Sequence, residues 1–132
     1  MAVLVDTNVI SDVILRDSNW EDWSIARLAE YCDDLCINPI IFAELCCRAD
    51  SVASLEALLG PFRFDYQEIP KEALFLAAKA FATYRKRSGT KQSPLPDFFV
   101  GAHALILDIP ILTRDTARYR TYFYEVDLIS PT

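Results

Sequence analysis

The strongest constraint on the fold is a set of short, uninterrupted apolar runs that alternate with longer helical segments. Residues 2–5 form the first run, residues 35–37 and 109–112 form two others, and residues 124–129 are a further expected strand. Strands that are buried on both faces have such continuous apolar sequences, whereas half-exposed strands alternate apolar and polar residues. The pattern predicts an α/β domain with three layers, α/β/α, around a central and mostly parallel sheet.

Capping residues and apolar periodicity predict the helices between these runs. Asn38 and Pro39 have the order of an N-cap residue followed by a first-turn proline, which predicts a helix start. Ser18 and Glu21 have the spacing of a capping box and predict a second start. The remaining expected elements are helices over residues 51–59, from Pro70 to a stop at Gly89 and over residues 97–107, and an extended stretch at 62–69.

The composition is that of a folded domain. A length of 132 residues with 52% apolar and 24% charged residues predicts one domain over residues 1–132 and excludes a disordered chain. No apolar run approaches the roughly 18 residues that span a membrane. Residues 1–6 lack the basic start of a secretion signal. We therefore expect a cytoplasmic protein that makes no membrane contact.

The cysteines and the single histidine are expected to be structural. Without a secretion signal, the four cysteines are predicted to be reduced and mostly packed: Cys32, Cys36, Cys46 and Cys47. A zinc site is disfavoured because no C-x-x-C pair is present, and adjacent cysteines on a helix point about 100° apart. His103 falls in an apolar helical run and is predicted to pack in the core.

Charge is distributed unevenly along the chain. The net charge is −6, and residues 1–70 carry thirteen Asp or Glu against four Lys or Arg, whereas residues 71–132 carry six against nine. The acidic total argues mildly against a nucleic-acid-binding surface. The basic residues cluster at 85–87 and at 114–120. These clusters are either phosphate contacts or solvated helix ends.

Four carboxylates are placed where a parallel sheet gathers functional groups. Asp6 and Asp115 follow predicted strands and so fall beyond their carboxyl ends. Glu44 and Asp97 lie among apolar neighbours on helices that this layout could bring to the same edge. Each residue alone has an ordinary explanation, as a helix cap, a first-turn charge or a surface residue.

Convergence of these four carboxylates would favour a metal ion. Carboxylates gathered without a matching Lys or Arg repel one another, and a divalent cation removes that repulsion. Hard oxygen ligands suit Mg²⁺ or Mn²⁺. The sequence therefore predicts a divalent metal site at the carboxyl edge of the sheet.

The carboxylates stand in motifs that follow a fixed order along the chain. The motifs are Val-Asp-Thr-Asn-Val at 5–9, Ala-Glu-Leu at 43–45, Pro-Asp-Phe-Phe-Val-Gly at 96–101, Leu-Thr-Arg-Asp at 112–115, Tyr-Arg-Thr-Tyr-Phe at 119–123 and Leu-Ile-Ser-Pro at 128–131. One motif alone would be weak, but the ordered set resembles a PIN domain. It is most similar to the VapC-type ribonuclease toxins of bacterial and archaeal type II toxin–antitoxin systems.

The resemblance implies a metal-dependent endoribonuclease in which metal-activated water hydrolyses RNA phosphodiester bonds. By motif position, the acidic quartet is Asp6, Glu44, Asp97 and Asp115. The three aspartates would hold Mg²⁺ or Mn²⁺ directly, and Glu44 would do so through water or orient the nucleophile. The polar residues expected to support the site are Thr113, Thr7 and Asn8.

The resemblance also implies partners. These are an RNA substrate, a cognate antitoxin that covers the acidic site, and a second copy of the chain. Candidate phosphate contacts are Arg114, Arg118, Arg85, Lys86 and Arg87. Candidate dimer faces lie near Trp20, Trp23 and residues 55–59, and these apolar faces could equally be core. Some family members carry a further acidic residue after the last aspartate, where residues 116–118 here are Thr-Ala-Arg. A second metal position therefore stays open.

Two other functions are compatible with the same residues. A phosphatase-type phosphoryl-transfer domain also places an aspartate after its first strand, but Asp6-Thr7-Asn8 lacks a second carboxylate and no glycine-rich phosphate loop is present. A PIN-like scaffold without turnover is the other alternative. Metal-free RNA cleavage is disfavoured because one histidine cannot supply both an acid and a base.

Overall fold

The computed structural model describes residues 1–88 and 95–132. Its strands are β1 (Val3–Val5), β2 (Leu35–Ile37), β3 (Asp65–Tyr66), β4 (Ile111–Leu112) and β5 (Leu128–Ile129). They form one sheet in the order β3-β2-β1-β4-β5, and every neighbouring pair is parallel. Each predicted apolar run contains a strand, so the expected parallel α/β architecture is confirmed.

Seven α-helices connect the strands within the described ranges. They are α1 (Thr7–Ile14), α2 (Glu21–Glu30), α3 (Pro39–Cys46), α4 (Val52–Leu59), α5 (Lys71–Ser88), α6 (Leu95–Leu107) and α7 (Ala117–Arg120). The Asn38 side chain caps α3 by accepting a hydrogen bond from the backbone N–H of Ile41 at 2.9 Å, as its sequence predicts. None of these helices combines the length and apolarity that crossing a bilayer requires.

The start of α2 differs from the prediction. Trp20 is the N-cap residue and makes no side-chain cap bond, so the capping box predicted from Ser18 and Glu21 is wrong. Instead, the Asp17 carboxylate accepts hydrogen bonds from the backbone N–H groups of Asn19 and Trp20. A carboxylate is the stronger acceptor for free N–H groups, which explains why the aspartate organises this turn. Gly89, predicted to end α5, lies outside the described residues.

The core is built around β1, whose three residues are fully buried. Helix α6 is buried over most of its surface, and His103 within it is fully buried, which confirms its predicted place in the core. All four cysteines are free: Cys36 is buried and Cys46 is half-buried. The prediction that the cysteines are mostly packed is wrong for Cys32 and Cys47, which lie exposed.

A close approach at Gly101 holds the end of α7 against α6. A Cβ at Gly101 would lie 2.4 Å from Cδ2 and 2.7 Å from Cγ of Phe123. Phe123 follows α7, is only 3% exposed, and packs edge-to-face on Phe98 with ring centroids 6.0 Å apart. The absent side chain at Gly101 therefore sets the distance between α6, which carries Asp97, and the α7 segment.

Candidate functional site

Asp6 is the centre of a buried polar cluster at the carboxyl end of β1. Its side chain is fully buried and caps α1 by accepting from the backbone N–H of Thr7 at 2.8 Å. One carboxylate oxygen, Oδ2, also accepts from the hydroxyls of Thr113 at 2.9 Å and Tyr119 at 2.8 Å. β4 supplies Thr113 at the same sheet edge because β1 and β4 run parallel.

Arg118 on α7 brings three of the four predicted carboxylates together. Its Nη1 donates to Asp6 at 3.2 Å, and its Nε donates to Asp97 at 2.9 Å, with a further bond from Nη2 to the same Asp97 oxygen. Its Nη2 also lies 3.6 Å from Glu44 Oε2. Arg118 is a candidate phosphate contact by sequence, and its guanidinium lies among the acidic side chains.

Asp115 lies beside this cluster rather than in it. The residue is exposed, and its backbone N–H donates to Thr113 Oγ1 at 3.0 Å. Because the same Thr113 hydroxyl donates to Asp6, one side chain links the two predicted ligands. The remaining predicted polar residues also contact the cluster: Thr7 donates to Glu44 at 2.7 Å, and Asn8 donates to Asp6 and Thr113, each at 3.3 Å.

Burial dominates the electrostatics of the cluster. It raises the pKa of the Asp6 carboxyl above its ordinary value, although Arg118, Tyr119 and Thr113 all favour the ionised form. Burial, reinforced by the Asp6 charge, also raises the pKa of Tyr119 well above 10. For Arg118, burial lowers the pKa, but the Asp97 hydrogen bond and the Asp6 charge together outweigh it and raise the pKa. Arg118 therefore remains a cation at every working pH.

Arg114 has a separate partner. Its Nε and Nη2 form a bidentate ion pair with the buried carboxylate of Asp12, each at 2.9 Å, and Ser24 donates to the same carboxylate at 2.8 Å. The guanidinium also lies over the ring of Trp20, 5.4 Å from its centroid. Arg114, a candidate phosphate contact, is therefore already bound to Asp12 on α1 and to the ring of Trp20 at the start of α2.

The basic end of α5 lies on the helix that packs against α6. Arg85, Lys86 and Arg87 are exposed in the last turn of this helix. The preceding Tyr84 packs on Phe98, the neighbour of Asp97 in the chain, with ring centroids 5.5 Å apart. The three basic side chains are thus exposed at the end of a helix that packs against the start of α6, and the Arg85 guanidinium lies over the Phe81 ring, 5.9 Å from its centroid.

Two cavities lie on different sides of this region. A groove of about 190 Å³ begins at Thr7 and Glu44 and continues between apolar side chains of α1, α3 and α4, among them Leu45, Leu55 and Leu58. A larger cavity, about 490 Å³, lies beside β3 and includes none of the four predicted acidic residues. The smaller groove is therefore the one connected to the cluster.

The donor set fits a hard divalent cation in its chemistry. Asp6, Glu44 and Asp97 offer only carboxylate oxygens, and these oxygens already converge on one positive group, the Arg118 guanidinium. Within residues 1–88 and 95–132, no three His, Cys, Asp or Glu side chains are spaced as metal ligands. In this position, the Arg118 guanidinium lies between the carboxylate oxygens that a metal ion would bind.

Comparison with known protein families decides the classification. The model of the PIN domain family matches residues 3–124. The chain belongs to the PIN domain family. The family predicted from the ordered motifs is thereby confirmed. No curated protein sequence matches this PIN domain closely enough to count as a relative.

Solved structures share the fold of this PIN domain at low sequence identity. It is similar to VapBC2 from Rickettsia felis bound to a DNA fragment from its promoter, with a TM-score of 0.75, 14% identity and 98% of each chain covered. It is also similar to FitAcB from Neisseria gonorrhoeae, with a TM-score of 0.69, 24% identity and coverage of 98% of this chain and 97% of that one. A toxin–antitoxin complex from Klebsiella pneumoniae has a TM-score of 0.67 at 19% identity, covering 99% and 98%. Such identities establish a common fold and leave activity to be argued from the site.

Sequence reasoning missed two residues of this region. Tyr119 was noted within a motif but given no role, because nothing in its local sequence indicates a bond to a residue 113 positions away. Asp12 was overlooked although a signal existed. It lies four residues after Asn8 and so on the same face of α1, and both side chains bind Arg114.

The structure separates core from surface within the candidate dimer faces, which the sequence left open as either interface or core. Leu55 and Leu59 are buried in the core and cannot form an interface, whereas Leu58 between them is exposed. The i, i+4 spacing of the two buried leucines places both on the inner face of α4, which explains the difference. Trp20 and Trp23 are half-buried and pack edge-to-face with ring centroids 6.1 Å apart.

Proposed function

We propose that this PIN domain is a metal-dependent endoribonuclease, the toxin of a VapC-type toxin–antitoxin pair. The observation that carries the proposal is the convergence of Asp6, Glu44 and Asp97, from three separate elements, at the carboxyl edge of a parallel sheet. Buried carboxylates at such an edge are costly unless they bind cations. Membership of the PIN family and the fold shared with a toxin–antitoxin complex support the same function.

The proposed ligands of Mg²⁺ or Mn²⁺ are Asp6, Asp97 and Asp115, with Glu44 acting through water. The bound ion supplies a water molecule of lowered pKa and offsets charge on the phosphoryl oxygens. The chain's own residues fix the carboxylates. The Thr7 hydroxyl orients Glu44 at 2.7 Å, and the Thr113 hydroxyl holds Asp6 while its Oγ1 accepts from the Asp115 backbone. These contacts limit the reorganisation that binding requires.

The exposed basic turn of α5 is the proposed contact for RNA phosphates. Arg85, Lys86 and Arg87 are exposed at the end of α5, which packs on α6, the helix that carries Asp97, and there they can attract a polyanion toward an otherwise acidic chain. Arg114 and Arg118 are weaker candidates because each already binds carboxylates. RNA binding through α5 predicts a steep loss of affinity as the salt concentration rises.

The apolar groove beside Glu44 is the proposed docking site of the antitoxin. Its wall is formed by leucine side chains, of which Leu15 and Leu58 are exposed. A partner segment with an apolar face would bury these side chains and cover the acidic cluster at the end of the groove. We also expect two copies of the chain to associate and the pair to act in the cytoplasm.

The test is cleavage of labelled total RNA by purified protein freed of any co-purified partner. Reactions contain Mg²⁺, Mn²⁺ or EDTA. Asp115→Asn is the informative variant because this exposed residue is not needed for packing, and Asp127→Asn is the control, since it removes the same charge at an exposed position away from the cluster. We expect discrete cuts that need metal, persist in Asp127→Asn and fall at least about 100-fold in Asp115→Asn.

Two results would contradict the proposal. Cleavage that continues in EDTA would exclude the metal mechanism. A folded protein that binds Mn²⁺ but cuts no RNA would favour the scaffold function instead.

A further inference from the structure

The guanidinium of Arg118 makes the contacts that would be expected of a bound cation. It donates to Asp6 and Asp97 and lies 3.6 Å from Glu44, so it touches a carboxylate from three separate elements. The side chain is only 19% exposed. Most surface arginines pair with one acid at most, and a buried arginine shared by three acids is an organised ion cluster.

The position of Arg118 is imposed by the surrounding fold. It precedes Tyr119, which is fully buried and hydrogen-bonded to Asp6, so the backbone of α7 is anchored beside the cluster. The packing of Phe123 on Gly101 fixes the following segment against α6. Arg118 therefore enters the cluster from a rigid support. Its long side chain remains the movable part, because three carbon atoms separate the guanidinium from the backbone attachment.

The carboxylate oxygens that bind Arg118 are the same atoms that would ligate a metal. Both Asp6 oxygens accept from Nη1, at 3.2 and 3.3 Å, and the Asp97 oxygen accepts from Nε. A guanidinium and a divalent ion in contact with one set of oxygens would lie within a few ångströms of each other, and two cations at that distance repel strongly. Binding of one must displace the other.

We propose that Arg118 is an intramolecular competitor of the divalent metal. It offsets one unit of the negative charge of the three carboxylates in the metal-free protein. It must leave them before the metal binds, so it sets the metal affinity. This inference rests on the proposed metal site but not on RNA cleavage. Its consequence is that the folded protein tolerates the loss of metal, because an internal cation replaces the ion.

The first experiment measures Mn²⁺ affinity by calorimetric titration of the metal-free protein and of three variants. Arg118→Gln removes the competing charge and should raise the affinity by about tenfold, within the usual range of coupling between two sites. Arg118→Lys keeps the positive charge but lacks the planar guanidinium that donates to two carboxylates at once. Its Mn²⁺ affinity should fall between those of wild type and Arg118→Gln. Arg120→Gln, on the same helix but exposed, makes an equal charge change and should leave the affinity within about twofold of wild type.

A second measurement needs no variant and therefore does not depend on whether the substitutions fold. The Nε–H groups of Arg118 and Arg114 donate to Asp97 and Asp12, and each gives a side-chain NMR signal. Diamagnetic Mg²⁺ should shift the Arg118 signal as its hydrogen bond breaks. The Arg114 signal is the internal control and should stay in place, because Asp12 lies outside the cluster.

The outcomes separate this inference from the proposed function. Equal or lower Mn²⁺ affinity in Arg118→Gln, or an Arg118 signal that does not respond while Mg²⁺ binds, would overturn the competition. Absence of metal binding in wild type and in every variant would overturn both proposals. Competition between Arg118 and the metal without RNA cleavage would support this inference and contradict only the proposed nuclease activity.

Discussion

Replacing Gly101 by alanine tests how closely α6 must approach the segment that follows α7. The added Cβ would lie 2.4 Å from Cδ2 and 2.7 Å from Cγ of Phe123, far inside van der Waals contact. Cγ is the root of the ring, so a ring flip does not relieve the clash, and Phe123 is itself packed against Phe98. Overpacking costs about 1–3 kcal/mol, and a contact this close to a ring that is itself packed belongs in the upper part of that range, about 2–3 kcal/mol.

Helix propensity opposes this cost. Alanine is favoured over glycine in a helix by about 1 kcal/mol, so the net loss of unfolding free energy should be about 1–2 kcal/mol. In a chain of this size the melting temperature should fall by about 4–8 °C, measured by circular dichroism or calorimetry. The metal-free protein is used so that ligand binding does not contribute.

Gly60→Ala is the matched control. A Cβ at Gly60 meets nothing within 4 Å, and the residue has helical backbone angles, φ −49° and ψ −47°. Pro61 follows directly, and a Cβ on a helical residue before proline is crowded by the proline ring, which opposes the gain in helix propensity. The same substitution there should therefore leave the unfolding free energy within about 1 kcal/mol of wild type. If Gly101→Ala melts at or above the wild-type temperature, the close packing of Phe123 on α6 does not describe the protein in solution.

Three further predictions concern the buried polar groups. Arg114→Ala strands the buried Asp12 carboxylate and should lower the unfolding free energy by about 2–4 kcal/mol in urea titrations; a loss below 0.5 kcal/mol would show that the pair is not formed. Tyr119→Phe removes one hydrogen bond to Asp6 and should cost about 1.5–3 kcal/mol in the same assay, whereas an unchanged midpoint would mean that water replaces the hydroxyl. His103 has its pKa lowered from 6.5 by burial, so its stabilising effect is complete above pH 6.5 and is lost as the pH falls toward the lowered value. The melting temperature should therefore drop less between pH 7 and pH 5 in His103→Gln than in wild type, and an equal drop would contradict the shift.

Local sequence patterns were sufficient for the strands and for several helix ends. The apolar runs at 2–5, 35–37 and 109–112 predicted strands because a strand covered on both faces has no position for polar side chains. The Asn38 cap followed from neighbouring residues alone. The ordered acidic motifs likewise identified the PIN family before any coordinates.

Competition between neighbouring groups limited these local predictions. Ser18 has a valid capping spacing, but Asp17 beside it offers a stronger acceptor and takes the N–H groups. Residues 55–59 have the apolar content of an interface, and only the packing of α4 shows that Leu55 and Leu59 point into the core. The spacing of residues along the chain shows which caps and buried faces are possible, and contacts with neighbouring residues determine which of them forms.

Periodicity and motifs of a few residues were enough to predict the architecture, the family and the candidate acidic residues. Only the tertiary structure decided that Asp115 lies beside the cluster and that Arg118 lies within it. Arg118 and Asp6 are 112 residues apart, and Arg118 and Asp97 are 21 apart. Their meeting depends on how α7 packs against the sheet edge, which no local pattern encodes. The same guanidinium would be a surface charge if that packing placed it one helical turn away.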